Sequence, residues 1–261
     1  MSDEHWNVPA ERAIPRLIEL HGARLYGLGL RLCGTPEEAE DLVQETFLNA
    51  FRKWDQFAKR SDPKTWLYSI AARVCQRLHR LRAGQPRRMQ SLEALLPFGE
   101  ATLAVPRQTA SDGLESQIRD EEVRRLEEAI TELPLAFRLP LVLKEVVGLS
   151  IADVASILAL KPGTVKTRVH RARLRLRQAL DQGLPRRAFP AAAYSRQVCL
   201  DLLQAKQEAL DRGVDLPTDV VCERCRAVFA TLDLTQDVCR EIGRGNIPAD
   251  LRARLLAAVA N

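Results

Sequence analysis

The sequence has no apolar run that approaches the roughly 20 residues needed to cross a bilayer. Its first 14 residues include Asp3, Glu4 and Glu11, and they lack the apolar core of a secretory signal peptide. These two absences predict a cytoplasmic protein that does not associate with a membrane. In that compartment the six cysteines do not indicate a disulfide framework.

Aromatic residues are also few, at 5% of the chain, and no strand-like alternation of apolar and polar residues persists. No catalytic-triad spacing, glycine-rich phosphate loop or metalloprotease motif is present, so the sequence does not indicate an enzyme. Leu, Ala and Arg dominate, and apolar residues recur at helical spacing in three blocks. We therefore expect an all-α fold with helical domains over 13–82, 115–183 and 191–261. Proline and glycine mark a flexible linker at 83–114 and a shorter one at 184–190.

A helix-turn-helix is predicted between Leu149 and Leu180. Ser150 is placed to cap the first helix, Lys161-Pro162-Gly163 forms the turn, and Thr164 is placed to cap a second, basic helix. From 161 to 178 there are seven Lys or Arg residues and no acidic residue. Such a helix reads the DNA major groove and binds phosphates, although a solvated basic surface is the simpler alternative. The residues expected to contact DNA are Lys161, Thr164, Lys166, Thr167, Arg168, His170, Arg171 and Arg173.

Four segments, in order, carry a family resemblance. Residues 38–47, EAEDLVQETF, resemble the polymerase-binding helix in region two of bacterial sigma factors. Residues 61–71, SDPKTWLYSIA, resemble the promoter-melting segment of the extracytoplasmic-function (ECF) group. Leu133-Pro134 and residues 163–173, GTVKTRVHRAR, resemble region four. The chain is thus identified as a member of the ECF sigma factors, which have no folded region between these two blocks.

The resemblance implies a subunit that binds core RNA polymerase and directs it to promoter DNA. The residues it assigns to polymerase binding are Asp41, Gln44, Glu45, Phe47 and Phe51. For the minus-ten element it assigns Lys64, Thr65, Trp66, Arg73, Arg77 and Arg80. Unstacked bases need pockets and a basic surface to hold them. Phe47 and Trp66 have a second reading as core residues, because large aromatic side chains commonly fill helical cores.

Four of the six cysteines lie in the tail after residue 190. Cys222 and Cys225 form a CxxC pair, Cys199 precedes it and Cys239 follows it. The tail resembles the zinc-containing anti-sigma domain, but Thr218 stands where that family has a histidine. Three interpretations remain: a Zn²⁺ site made of all four cysteines, a metal-free helical bundle, and a redox pair at Cys222 and Cys225. The isolated Cys33 and Cys75 are expected in the core.

Such a tail could clasp the two DNA-binding blocks within the same chain, since a tethered contact has a high effective concentration. Alternatively it aids solubility or binds a separate regulator. A different class of function also fits part of the sequence: a stand-alone helix-turn-helix regulator with a metal- or redox-sensing tail. That class does not account for the first block.

Overall fold

The computed structural model describes residues 6, 8–57, 62–80, 88–97, 100–107, 112–217, 221–243 and 246–260. Across these residues, eleven α-helices and one two-stranded sheet form the fold, which confirms the all-α class. None of the described helices is long and apolar enough to span a membrane. Thr218 and the side chain of Arg80 lie outside the described part of the chain.

The first unit consists of α1 (Ala10–Cys33), α2 (Pro36–Arg52) and α3 (Pro63–Arg80). Thr35 caps α2 by accepting a hydrogen bond from the Glu38 amide, and Pro36 occupies the first helical position, as the sequence predicts. Gly29 lets α1 and α2 approach closely, because a Cβ there would lie 3.0 Å from the Ala39 backbone. Cys33 and Cys75 are both buried in this unit.

The second unit consists of α5 (Asp112–Thr131), α6 (Leu135–Leu141), a π-helical turn (Val142–Val146), α7 (Ile151–Leu158) and α8 (Pro162–Asp181). Ser150 and Asp153 form the capping box of α7. The prediction that Thr164 caps α8 is wrong: the helix begins at Pro162, with Lys161 at the capping position. Proline is accepted there because its fixed φ suits the first helical turn.

The linkers are more ordered than the sequence indicates. The first contains α4 (Leu92–Leu95) and β1 (Thr102–Ala104), and β1 pairs antiparallel with β2 (Arg186–Ala188) of the second linker. Leu95 and Leu103 are fully buried against the tail. The prediction of a flexible linker therefore misses this segment, whose few apolar residues acquire partners only in the tertiary structure.

The tail consists of α9 (Arg196–Arg212), α10 (Glu223–Ile242) and α11 (Ala249–Ala260). Helix α10 packs on α5, α8, α9 and the π-helical turn, whereas α11 packs on α1 and α2. The first and second units also meet, through α3 against α7. One large core therefore runs through both units and includes buried residues of α10 and α11.

Candidate nucleic-acid and polymerase interface

Helix α8 presents its predicted DNA-contacting residues unevenly. Lys161 and Thr167 are exposed, while Thr164, Lys166, Arg168, His170 and Arg171 are half-buried. A groove separates the α8 residues Lys166, Thr167 and His170 from the face of α9. Because α9 lies along the face of α8 that the helix-turn-helix would present to DNA, the DNA-reading stripe points toward the tail in this structure.

Arg173 is the main departure from the predicted DNA contacts. Its side chain is only 2% exposed, and its guanidinium pairs with Glu145 of the π-helical turn and, at 2.7 Å, with Asp211 of α9. Burial acts to lower the pKa of Arg173, but these two carboxylates outweigh it and the pKa is raised. Arg173 is therefore a charged residue neutralised inside the protein, and it does not reach DNA in this conformation.

His170 shares the same carboxylate. Its Nε2 lies 2.9 Å from the Asp211 carboxylate, and its backbone carbonyl accepts a hydrogen bond of 3.2 Å from Gln207. Burial acts to raise the pKa of Asp211, but the hydrogen bond from His170 and the charge of Arg173 hold the pKa below its usual value. Asp211 is thus an ionised side chain on α9 that binds two α8 residues at once.

The network continues into α10. Gln236 donates a 3.0 Å hydrogen bond to Glu145, and Arg173 donates a 3.1 Å hydrogen bond to the side chain of Gln207. One turn along α8, Arg177 is 1% exposed and donates to the Thr231 hydroxyl at 2.9 Å. Two arginines of α8 are therefore desolvated by the tail, and each has polar partners there.

In the first unit, two arginine side chains of α3 are exposed to solvent. Arg73 is exposed, and Arg77, 55% exposed, pairs with Glu45 of α2. Lys64 and Thr65 lie half-buried at the start of α3. Trp66 belongs to an aromatic cluster, with its ring 5.1 Å from that of Phe57 and 5.7 Å from that of Trp54, so it supports this corner of the unit.

The residues of α2 that are predicted to bind polymerase differ in their exposure to solvent. Asp41 and Gln44 are exposed and Glu45 is half-buried, so this face is available to a partner. Phe47 is fully buried and Phe51 packs against the core from a half-buried position. In this conformation the carboxylates and the amide face outward, while Phe47 serves as a core residue.

Helix α11 lies beside that polymerase face. Leu251, Leu255 and Val259 are buried in the core that α1 and α2 share with the tail. Arg254 pairs with Glu40 of α2, and Arg252 pairs with Glu19 of α1. Glu40 is one residue before Asp41 and one helical turn before Gln44. The tail therefore abuts the residues assigned to polymerase binding.

Sequence reasoning did not single out Asp211, Gln207, Glu145 or Gln236. Each is an ordinary polar residue within a helical pattern, and the sequence does not show which of them become buried. The only available signal was indirect: Arg173 and Arg177 are four residues apart and fall on the face of α8 that is buried in the structure.

The cysteines of the tail divide into two places. The Cys225 thiol hydrogen-bonds with the thiols of Cys199 and Cys222. Burial is the largest cause that raises the pKa of Cys225 to about 12, and the two neighbouring thiols raise it further. For Cys222, burial is outweighed by backbone amides of Cys225, Ala193 and Arg224, and its pKa is lowered. Cys239 is buried in the large core that runs through both units, with Glu145 and Arg173 as its charged neighbours.

The four sulfur ligands predicted for Zn²⁺ are therefore not brought together, and within the described residues no group of three His, Cys, Asp or Glu side chains is arranged to hold a metal. Tetrahedral zinc needs four ligands, or three and a water. Zinc binding by the tail stays a prediction.

Comparison with known proteins supplies the family. The models for Sigma-70 region 2 and Sigma-70 region 4 match residues 17–84 and 123–176. The chain is 32% identical over 171 residues to the ECF RNA polymerase sigma factor SigW of Bacillus subtilis, covering 64% of this chain and 89% of SigW. It is 31% identical over 174 residues to the RNA polymerase sigma-H factor of Pseudomonas aeruginosa, covering 67% of this chain and 87% of that protein.

A similar solved structure is the sigma factor RpoE in complex with the anti-sigma factor NepR from Bartonella quintana. It has a TM-score of 0.44 and 30% identity, and covers 63% of this chain and 94% of that one. Neither Sigma-70 match extends past residue 176, so the tail lies outside both. The stand-alone regulator is excluded because the first block matches a sigma region. This chain belongs to the ECF RNA polymerase sigma factors, which initiate transcription and are not enzymes.

Proposed function

We propose that this sigma factor is held in a closed, inactive state by its own tail, which clasps both DNA-binding units. The observation that carries the proposal is the pair of contacts described above. Helices α9 and α10 bury arginines of α8, and α11 lies on α1 and α2. Since the tail is part of the same chain, the clasp forms at high effective concentration and needs no separate inhibitor.

The packing of the two units against each other supports the same proposal. The minus-ten and minus-thirty-five elements are about 25 base pairs apart, or about 85 Å at roughly 3.4 Å per base pair. Here α3 of the first unit packs directly against α7 of the second, and Gln76 and Arg168 line one groove between them. A chain folded in this way does not span both elements, so promoter binding requires the units to separate.

Polymerase binding is the event that we expect to compete with α11. The polymerase helices expected to dock on Asp41 and Gln44 have a diameter of about 10 Å including side chains. Because Arg254 of α11 pairs with Glu40, beside those residues, a helix docked there meets α11. Displacing α11 removes the helix that lies beside Asp41 and Gln44, and polymerase contacts then replace the contacts of the tail. We place this exchange in the cytoplasm, where polymerase and promoter DNA are found.

The test is run-off transcription with core polymerase on a promoter selected from a random library. The full chain is compared with residues 1–187, which contain both Sigma-70 matches. The proposal expects both proteins to initiate and the truncated protein to reach half-maximal transcription at a concentration at least about tenfold lower. If the two proteins initiate equally at all concentrations, the clasp does not exist. If only the full chain initiates, the tail is an activating part.

A further inference from the structure

We propose that α9 binds α8 in place of DNA, so that the tail blocks the minus-thirty-five element by direct competition and not only by holding the two units together. This inference rests on the proposed clasp and names the surface responsible for one of its two effects. The surface, called here the α9 face, consists of the α9 residues that line the groove against α8 or bind α8 residues. They are Gln197, Leu200, Asp201, Leu203, Gln204, Gln207, Glu208 and Asp211.

Helix α9 forms the wall of the groove that faces α8. The α8 residues that line the groove are Gly163, Lys166, Thr167, His170, Arg171 and Leu174, which recur every three or four residues and so form one stripe of the helix. A major groove is about 12 Å wide, enough for one helix and its side chains. With α9 in hydrogen-bond contact with His170 and Arg173, α8 does not enter a major groove.

The polar groups of α9 resemble those of DNA in their chemistry. DNA offers α8 anionic phosphate oxygens and base-edge hydrogen-bonding groups. The α9 face offers the same classes of group. Asp211 supplies carboxylate oxygens at 2.9 Å from His170 and 2.7 Å from Arg173, and Gln207 supplies an amide that binds the side chain of Arg173 and the carbonyl of His170. Asp201 and Glu208 add two more carboxylates along the groove.

Apolar contacts between α9 and α8 accompany these polar contacts. Leu203 and Leu210 of α9 share a buried cluster with Leu174 of α8. Lys144, next to the ion-paired Glu145, donates a 3.0 Å hydrogen bond to the carbonyl of Asp211, which fixes the last turn of α9. The carboxylate of Asp211 is thus held on α8 by groups from two directions.

The experiment measures the affinity of the full chain, without polymerase, for a fluorescein-labelled duplex that carries only a minus-thirty-five element. The element comes from a promoter selected with polymerase and the full chain. A duplex of this kind needs only the second unit, so separation of the units has no effect on it. We compare Asp211→Asn with Asp237→Asn, a matched control whose exposed carboxylate on α10 pairs with Arg240.

The apparent affinity for DNA equals the intrinsic affinity multiplied by the fraction of molecules whose α8 is free. Loss of one charge-assisted contact raises that fraction by about tenfold or more. We therefore expect Asp211→Asn to bind the duplex at least about tenfold more tightly than the wild type, and Asp237→Asn to bind like the wild type. Gln207→Leu, which removes two hydrogen bonds at similar volume, should also tighten binding.

If Asp211→Asn does not fold, as judged by its thermal unfolding, the Gln207→Leu variant decides. Duplex binding that is unchanged or weaker in the folded variants overturns the competition proposal. If the truncated chain is still the stronger initiator in run-off transcription, the clasp then stands and acts through closure of the two units alone. If run-off transcription shows no effect of the tail, the clasp itself has failed.

Discussion

The tail holds the two DNA-binding units by different physical means. Against the second unit it forms an interface that contains desolvated polar contacts as well as apolar ones. Arg173 and Arg177 are at most 2% exposed, and they bind Asp211 of α9 and Thr231 of α10. Against the first unit it uses one short helix, with an apolar stripe flanked by ion pairs whose side chains are 26% to 54% exposed. Buried charges are specific and are costly to leave unpaired, whereas exposed pairs contribute little.

This difference suggests an order of release. Helix α11 is attached by an apolar stripe that any competing helix can replace, so it is the part expected to leave first when polymerase docks. The interface with α8 includes the carboxylate of Asp211, which pairs with Arg173 and binds His170, and the phosphates of DNA are anions that can replace it. In the proposed clasp, each half is therefore matched to the partner expected to displace it. Three substitutions, given in decreasing order of effect, test this difference between the two interfaces.

The largest effect is expected for Leu255→Ala in α11. Leu255 is 2% exposed in the core shared with α1 and α2, and truncating a buried leucine costs about 2 to 5 kcal/mol. This loss should release α11 and increase the affinity for core polymerase about tenfold or more, measured by fluorescence anisotropy. Leu20→Ala is the control, since Leu20 on α1 is 48% exposed. Equal polymerase affinities for both variants would show that α11 does not obstruct the polymerase face.

An intermediate effect is expected for Gly243→Ala at the end of α10. Gly243 has a φ of −74°, which alanine accepts, but a Cβ there would overlap the Val146 carbonyl oxygen and lie 3.2 Å from its carbon. Overpacking of this kind costs about 1 to 3 kcal/mol and should lift α10 from the second unit. We expect a lower melting temperature for the full chain and tighter binding of the minus-thirty-five duplex.

The control for this substitution is Gly27→Ala in α1, where a Cβ meets no side chain and no backbone of another element within 4 Å. It should leave duplex binding unchanged. A Gly243→Ala chain that binds the duplex no better than the control would indicate that α10 does not hold α9 on α8.

The smallest effect is expected for Arg254→Ala, which removes the ion pair with Glu40. The two side chains are 54% and 26% exposed, and pairs of this kind contribute about 0.2 to 1 kcal/mol and are screened by salt. Polymerase affinity should rise less than about fivefold at low salt, and the difference from the wild type should disappear near 1 M salt. Arg240→Ala, which removes an exposed pair within α10, serves as the control. A change as large as that for Leu255→Ala would mean that charge, not the apolar stripe, attaches α11.

Much of the fold could be predicted because its signals are local. The caps at Thr35 and Ser150 are made by side chains within three residues of the amides they accept from, and the periodicity of apolar residues defines each amphipathic helix. The prediction at Thr164 placed the start of α8 too late, because the local sequence does not distinguish a threonine at the capping position from one inside the first turn. The β1–β2 pairing joins residues more than 80 positions apart, and no local pattern indicates it.

The helical class, the order of the two sigma units and the location of the basic helix follow from the amino-acid sequence, because periodicity, capping and motif spacing are properties of neighbouring residues. The pairing of Arg173 with Asp211, the separation of Cys239 from the other tail cysteines and the packing of α11 on α1 and α2 depend on how distant helices pack. The physical reason is burial. An arginine in a helix has the same local pattern whether it faces water, DNA or a carboxylate, and its partner is fixed only when helices distant in sequence pack together.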